Sequence, residues 1–344
     1  MRKGYEAYNP NGVGVLNGNF LGLPKVDDPA VVFLAVPYDA TVSYGEGTGG
    51  GPENILAASG QLDVSILGLE KPWELGFRWS TIKGDWLAEH SQTRAYVKDV
   101  ITTLEKGIAL SEPQQTCLEL INKHGDALRQ SVFEATKAEL AQGRFPVIVG
   151  GEHSISLGAY EAAATLGDFG ILQIDAHMDL RLAYEGFVFS HASVMYNAVQ
   201  RIPKMKQLTQ VAIRDWCPEE EAFVNANSDR LTVFYDDDFQ EAKLNGEAFA
   251  KTIEPIIATL PDRVWISVDV DGLDPSLCKH TGTPVPGGLS YAEVKLLCKA
   301  VLKSGRTVIG LDLVEVAPEP NAYEGSVAAR LMYEIAARAV LANR

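Results

Sequence analysis

Gly170-Ile171-Leu172-Gln173-Ile174 runs directly into Asp175-Ala176-His177-Met178-Asp179. The first five residues read as a short buried strand, and the next five place three metal-capable side chains where that strand ends. In extended backbone, side chains two apart share a face, so Asp175 and His177 point the same way. A turn after them brings Asp179 back toward both. Val264-Trp265-Ile266-Ser267-Val268 leads into Asp269-Val270-Asp271 in the same form. Crowded together, Asp175, Asp179, Asp269 and Asp271 would repel and raise one another's pKa. A divalent cation is the simplest remedy.

Working outward, the same pattern of apolar run and polar exit recurs along the chain. Val31-Val32-Phe33-Leu34-Ala35-Val36 ends at Pro37-Tyr38-Asp39, before a glycine-dense loop over 45–51. That loop lacks the spacing and the Lys-Ser/Thr of a phosphate cradle, so it reads as a tight turn beside a pocket. Phe145-Pro146-Val147-Ile148-Val149 delivers Gly150-Gly151-Glu152-His153-Ser154, and Thr307–Leu313 ends at Val314-Glu315. Helices are predicted over 52–59, 113–142, 290–302 and 326–341, among others. Residues 61–110 read as irregular and aromatic-rich. His90 and His124 read as surface residues, and His280 as a loop residue. Short apolar strands alternating with helices describe an α/β fold, a parallel sheet covered on both faces. Ligands bind at the carboxyl ends of such strands. His153, Asp175, Asp269 and Glu315 all fall just beyond one. No linker or repeat divides the chain, so one domain is expected over 31–344, preceded by an N-terminal arm over 1–30.

The 344 residues are 46% hydrophobic and 22% charged, which describes a globular chain with a sizeable core. A formal charge of −15 argues against nucleic-acid and anionic-membrane surfaces and suits a cationic ligand. Cys117, Cys217, Cys278 and Cys298 form no CxxC pair, so reduced thiols in a cytoplasmic protein are expected. No apolar signal core or membrane-spanning run is present.

The candidate metal ligands are His153, Asp175, His177, Asp179, Asp269 and Asp271. Two imidazoles with four carboxylates form a hard, oxygen-rich set that suits Mn²⁺ better than zinc. Two ions about 3.5–4 Å apart would lower the pKa of a shared water toward neutrality, giving a nucleophile without serine or cysteine.

Three of these stretches, Gly150–Ser154, Asp175–Asp179 and Ser267-Val268-Asp269-Val270-Asp271-Gly272-Leu273-Asp274-Pro275, closely resemble the signature motifs of the ureohydrolases, the arginase and agmatinase superfamily. The resemblance spans residue 31 to the C-terminus with the motifs in the expected order. It implies the three-layer α/β/α arginase-like fold with a mostly parallel eight-stranded sheet. It implies two manganese ions per subunit, one on His153, Asp175, Asp179 and Asp269, the other on Asp175, His177, Asp269 and Asp271. The implied reaction is hydrolysis of a guanidino compound to urea and an amine. Asp179 would pass a proton to the departing amine, His191 would exchange protons with solvent, and Glu315 would pair with the guanidinium. A His191 pKa near neutrality suits that role. The resemblance also implies a homo-oligomer, trimer or hexamer.

Asp175–Arg181, Tyr184-Glu185-Gly186 and Ser190-His191-Ala192 look more like agmatinases than arginases, and no arginase-type loop for an α-amino acid follows the central motif. Agmatine, cleaved to putrescine in polyamine biosynthesis, is therefore the leading substrate. Alternatives are guanidinobutyrase, arginase or formimidoylglutamase activity. Cys278-Lys279-His280 replaces the usual Ala-Pro-Gly. Arg181, if it faces the pocket, favours a carboxylate-bearing tail. One-zinc deacetylases share the fold but use a shorter ligand set, and a metal-stabilised oligomeric binding protein is the non-enzymatic alternative.

Overall fold

The computed structural model of the protein describes residues 3–319 and 322–343. Its strands are β1 (Val31–Val36), β2 (Phe77–Thr81), β3 (Phe145–Gly150), β4 (Phe169–Ile174), β5 (Met205–Ile213), β6 (Leu231–Tyr235), β7 (Arg263–Asp269) and β8 (Thr307–Val314). They form one sheet in the order β2-β1-β3-β8-β7-β4-β5-β6, and every neighbouring pair is parallel. The helices are α1 (Gly51–Ser59), α2 (Asp85–Ala88), α3 (His90–Glu105), α4 (Glu112–Ala141), α5 (Leu157–Ala163), α6 (Val194–Arg201), α7 (Pro218–Ala226), α8 (Asp236–Leu244), α9 (Phe249–Thr259), α10 (Tyr291–Lys303) and α11 (Tyr323–Ala342).

The strands are apolar on both faces because both faces are covered. In β1, Val31 and Phe33 join one apolar layer while Val32 and Leu34 join the other. The first layer includes Ile256 of α9, Leu297 of α10 and Leu331 of α11. The second includes Val132 of α4, Tyr160 of α5 and Met195 of α6. Each fully buried aliphatic side chain contributes about 1.5–3 kcal/mol, so the two layers together fix the three-layer α/β/α architecture. The stretch before β1 lies on the first layer, where the Phe20 ring sits 4.2 Å from that of Phe33. No helix among the described residues is long and apolar enough to cross a membrane.

Two expectations are corrected. The segment 61–110 is ordered: Phe77–Thr81 pairs with β1 as the sheet edge, and α3 packs on α4 through Val97, Val100 and Ile121. His90 and His124 are not free surface residues. His90 Nε2 lies 2.8 Å from Asp39 Oδ1, and His124 Nε2 lies 2.6 Å from Glu89 Oε2, so each ties the α2–α3 junction to a neighbouring part of the chain.

The order β3-β8-β7-β4 has the functional consequence. Four adjacent strands end side by side, and their C-terminal exits carry His153, Glu315, Asp269 with Asp271, and Asp175 with His177 and Asp179. The crossover from β3 to β4 skips the two positions later filled by β8 and β7, which opens a crevice at the carboxyl end of the sheet.

Candidate active site

Backbone geometry delivers the first candidate ligand. Gly151 is obligatory because a Cβ there would run into the Tyr38 carbonyl oxygen. His153 follows on a short 3-10 turn and is fully buried. Its Nε2 lies 2.9 Å from Ser267 Oγ. The Ser267 hydroxyl donates to Asp312 Oδ1 at 2.8 Å and accepts from the Tyr160 hydroxyl at 3.0 Å. With its hydrogen committed to Asp312, Ser267 can only accept from His153, which assigns the imidazole proton to Nε2. The Nδ1 lone pair then faces Asp179 Oδ2 at 2.9 Å, Asp175 Oδ2 at 3.2 Å and Asp269 Oδ2 at 3.4 Å. A lone pair among three carboxylate oxygens is repulsive unless a cation lies between them, and Nδ1 has no hydrogen-bond partner among the described residues.

A second cluster adjoins the first. His177 Nδ1 lies 3.1 Å from Asp271 Oδ2 and 3.7 Å from Asp175 Oδ1. Asp175 therefore belongs to both groups, His153–Asp175–Asp269 and Asp175–His177–Asp271. The turn residues orient these oxygens. Asp175 accepts from the His177 amide at 2.7 Å and Gln173 Nε2 at 2.8 Å, and Asp271 accepts from the Ala176 amide at 3.0 Å. Asp179 folds back through a left-handed backbone, φ 56°, and Glu315 has φ 67°. Such conformations are unfavourable for residues with a Cβ and cluster where function demands them.

The electrostatics express the same crowding. Burial, with Asp271 and Asp175 alongside, pushes the Asp269 carboxyl well above its ordinary range. Burial and Asp175 push Asp179 up to about 7, against the opposing pull of His153. Burial disfavours the charged His153 and His177, but the surrounding aspartates override it and raise both. Each group is holding or seeking positive charge. A hard divalent cation bound by these oxygens and imidazoles satisfies all of them at once, so the donor set fits the ions inferred from sequence.

His191 and Glu315 line one cavity, of about 190 Å³, with Asp179, His153 and Asp269 of the first cluster, and His177 and Asp271 of the second. His191 Nδ1 lies 3.0 Å from the Thr41 carbonyl oxygen, to which it donates, leaving Nε2 as the basic nitrogen. Thr41 is fixed in turn by the buried Glu152 carboxylate, which accepts its amide at 2.7 Å and its hydroxyl at 2.6 Å. Contrary to the neutral value expected, burial and the charges of His177 and His153 push His191 down to about 4 in the ion-free site. Glu315 Oε1 accepts the His153 amide at 2.9 Å, while its Oε2 is buried without a hydrogen-bond partner among the described residues. Burial, with Glu152 nearby, raises its pKa well above the usual range.

Toward the mouth, Arg181 does line the cavity. Its guanidinium stacks 4.7 Å from the Tyr184 ring centre, and Nε lies 3.7 Å from the buried Glu220 carboxylate. Trp216 and Asp215 complete this rim. His280 is more than a loop residue: its Nδ1 lies 2.7 Å from Glu324, whose carboxylate also accepts the amides of Lys279 and His280. Sequence reading missed Ser267, Asp312, Glu152 and the Arg214-Asp215-Trp216 exit. For the last a signal existed, since Val211-Ala212-Ile213 runs into charged residues as the recognised strands do.

The sequence profile of the Arginase family matches residues 29–339. The chain belongs to the arginase family. It is thus a ureohydrolase, an enzyme of guanidino C–N bond hydrolysis. Relatives from this arginase-family comparison include the N(1)-aminopropylagmatine ureohydrolase of Thermus thermophilus, 31% identical over 89% of each chain. An agmatinase of Halalkalibacterium halodurans is 32% identical over 84% of each. The proclavaminate amidino hydrolase of Streptomyces clavuligerus shares the arginase-family fold with a TM-score of 0.73 at 22% identity, covering 94% of this chain and 97% of that one.

Proposed function

We propose that the protein uses two manganese ions to hydrolyse a linear guanidino compound with a cationic tail to urea and an amine. The observation that carries this reading is Glu315 Oε2, a buried carboxylate oxygen with no hydrogen-bond partner among the described residues, on the wall of the cavity that both candidate ligand clusters border. A guanidinium supplies both the charge and the paired N–H donors that such an oxygen lacks. His153, Asp175, Asp179 and Asp269 would hold one ion, and Asp175, His177, Asp269 and Asp271 the other. When bound, the ions lower the pKa of a water so that it is nucleophilic at neutral pH.

The chain's own residues do the rest. Glu315 orients the guanidinium so that its carbon faces the ligand clusters. As the C–N bond breaks, Asp179 hands a proton to the departing amine nitrogen. His191 returns protons between the cavity and solvent. Water and guanidinium become urea and an alkylammonium, with charge conserved.

Two features favour a cationic tail over a carboxylate one. Arg181 is already engaged by Glu220 and Tyr184, and Asp215 adds a carboxylate at the rim. Agmatine remains the leading substrate. An aminopropyl-extended agmatine is a second reading, favoured by the name of the Thermus relative and by Trp216, a cation-binding aromatic surface at the mouth. Four unpaired cysteines suit a reducing cytoplasm. The test is urea release after manganese reconstitution, with agmatine, aminopropylagmatine, arginine and 4-guanidinobutyrate. The highest kcat/KM is expected for one of the first two; a preference for either acid-bearing compound would overturn the cationic-tail assignment.

A further inference from the structure

We propose that Arg214 is a positioning residue for one of the two ion subsites, the one of Asp175, His177, Asp269 and Asp271, in which His177 and Asp271 serve that ion alone. This inference rests on the two-ion reading above. Arg214 follows β5 and spends its donors on backbone carbonyls. Nε donates to Pro286 O at 3.1 Å and Nη1 to Ala212 O at 3.1 Å. Nη2 donates to Val285 O at 2.9 Å, Leu273 O at 3.4 Å and Asp271 O. Its amide and that of Asp215 donate to Ala176 O at 2.9 and 3.0 Å.

These contacts fall at particular places. Ala176 separates Asp175 from His177, and Asp271 is itself a candidate ligand. One residue therefore joins the two chain segments that supply every ligand of this subsite. None of its hydrogen bonds reaches the backbone of His153 or Asp179, the two candidate ligands that belong to the other subsite alone. The loop beside it is shaped for close approach: Gly287 has φ +104°, and a Cβ there would lie 3.1 Å from Arg214 Cδ. A planar guanidinium presents five N–H donors in a fixed fork and can bind carbonyls from three directions. Lysine, with three donors on a flexible stem, cannot hold that set together.

The experiment is a manganese titration of the ion-free full-length protein, by calorimetry and by the free-ion electron paramagnetic resonance signal, with Tm recorded in parallel. Arg214→Lys and Arg214→Ala are compared with wild type and with His177→Ala. Outer residues that orient ligands typically change metal affinity about 10–100-fold. Arg214→Lys is expected to weaken one of two ions by that factor and leave the other unchanged. In a His177→Ala background it should not weaken the remaining ion further. Equal weakening of both ions, or a lowered Tm with both affinities intact, would reduce Arg214 to a general structural clasp and overturn the proposal. If Arg214→Ala does not fold, Arg214→Lys carries the test, because it keeps the charge and most of the stem. Fewer than two ions on wild type would defeat the two-ion reading itself, visible in the control before any variant is measured.

Discussion

At the residue scale, the direction of one proton organises the centre. Ser267, by donating to Asp312, turns His153 so that its lone pair enters the carboxylate cluster. Ser267→Ala should leave Nε2–H and the Tyr160 hydroxyl without their buried acceptor, costing about 1–3 kcal/mol of stability and weakening manganese binding; thermal melts and metal content check both. Glu315→Gln removes the counter-charge but keeps the shape. The loss of a charged hydrogen bond, about 1.5–3 kcal/mol, should lower kcat/KM about ten- to a hundredfold with metal content unchanged. Wild-type kinetics in that variant would disprove the pairing. His191→Asn should retain both ions and slow kcat by about a hundredfold or more, the typical contribution of a positioned proton carrier. The carboxylates and imidazoles of this centre were legible because their chemistry sits within short runs. The partners of His90 and His124 were not, because Asp39 and Glu89 bond to them across elements whose packing no local pattern encodes.

At the scale of elements, the site exists because four neighbouring strands stop at the same level. The buried strands were readable as apolar runs of β-branched residues. The edge strand β2 was not, since Phe77-Arg78-Trp79-Ser80-Thr81 has only one buried residue and mixes polar with aromatic side chains. Helix α8 has no counterpart among the predicted elements; Asp236, Asp237 and Asp238 form its first turn, where the helix dipole favours negative charge. At the exit of β3, the Gly151 backbone packs directly on the carbonyls of Tyr38 and Val36. Gly151→Ala should force Tyr38 or His153 to move. The expected result is a loss of about 1–3 kcal/mol together with reduced manganese loading, measured by denaturant titration and metal analysis.

At the scale of the whole molecule, the groups with raised values should make the ion-free protein less stable as pH rises, opposed by His191, which is pushed down to about 4 and disfavours acid. His153, His177, Asp179 and Asp269 all have folded-state pKa values raised above their ordinary ones. The stability each contributes is fully present below its unfolded pKa and is lost as pH rises through the folded value. For Asp179 that window runs from about 4, the ordinary carboxyl value, to about 7. Asp175 is lowered, so its contribution disappears only in stronger acid. Manganese competes with those protons, so the gap in Tm between loaded and ion-free protein should widen from pH 5 to pH 8. A constant gap would mean that the protons and the ions do not share the site.

The rim residues Arg181, Tyr184 and Trp216 ride on loops beyond β4 and β5, whereas the candidate ion-holding side chains stand at strand exits. Preference for a particular tail can therefore drift through substitutions at the entrance while the hydrolytic machinery stays unaltered. Libraries randomised at those three positions would be a direct route to enzymes that act on different guanidino compounds.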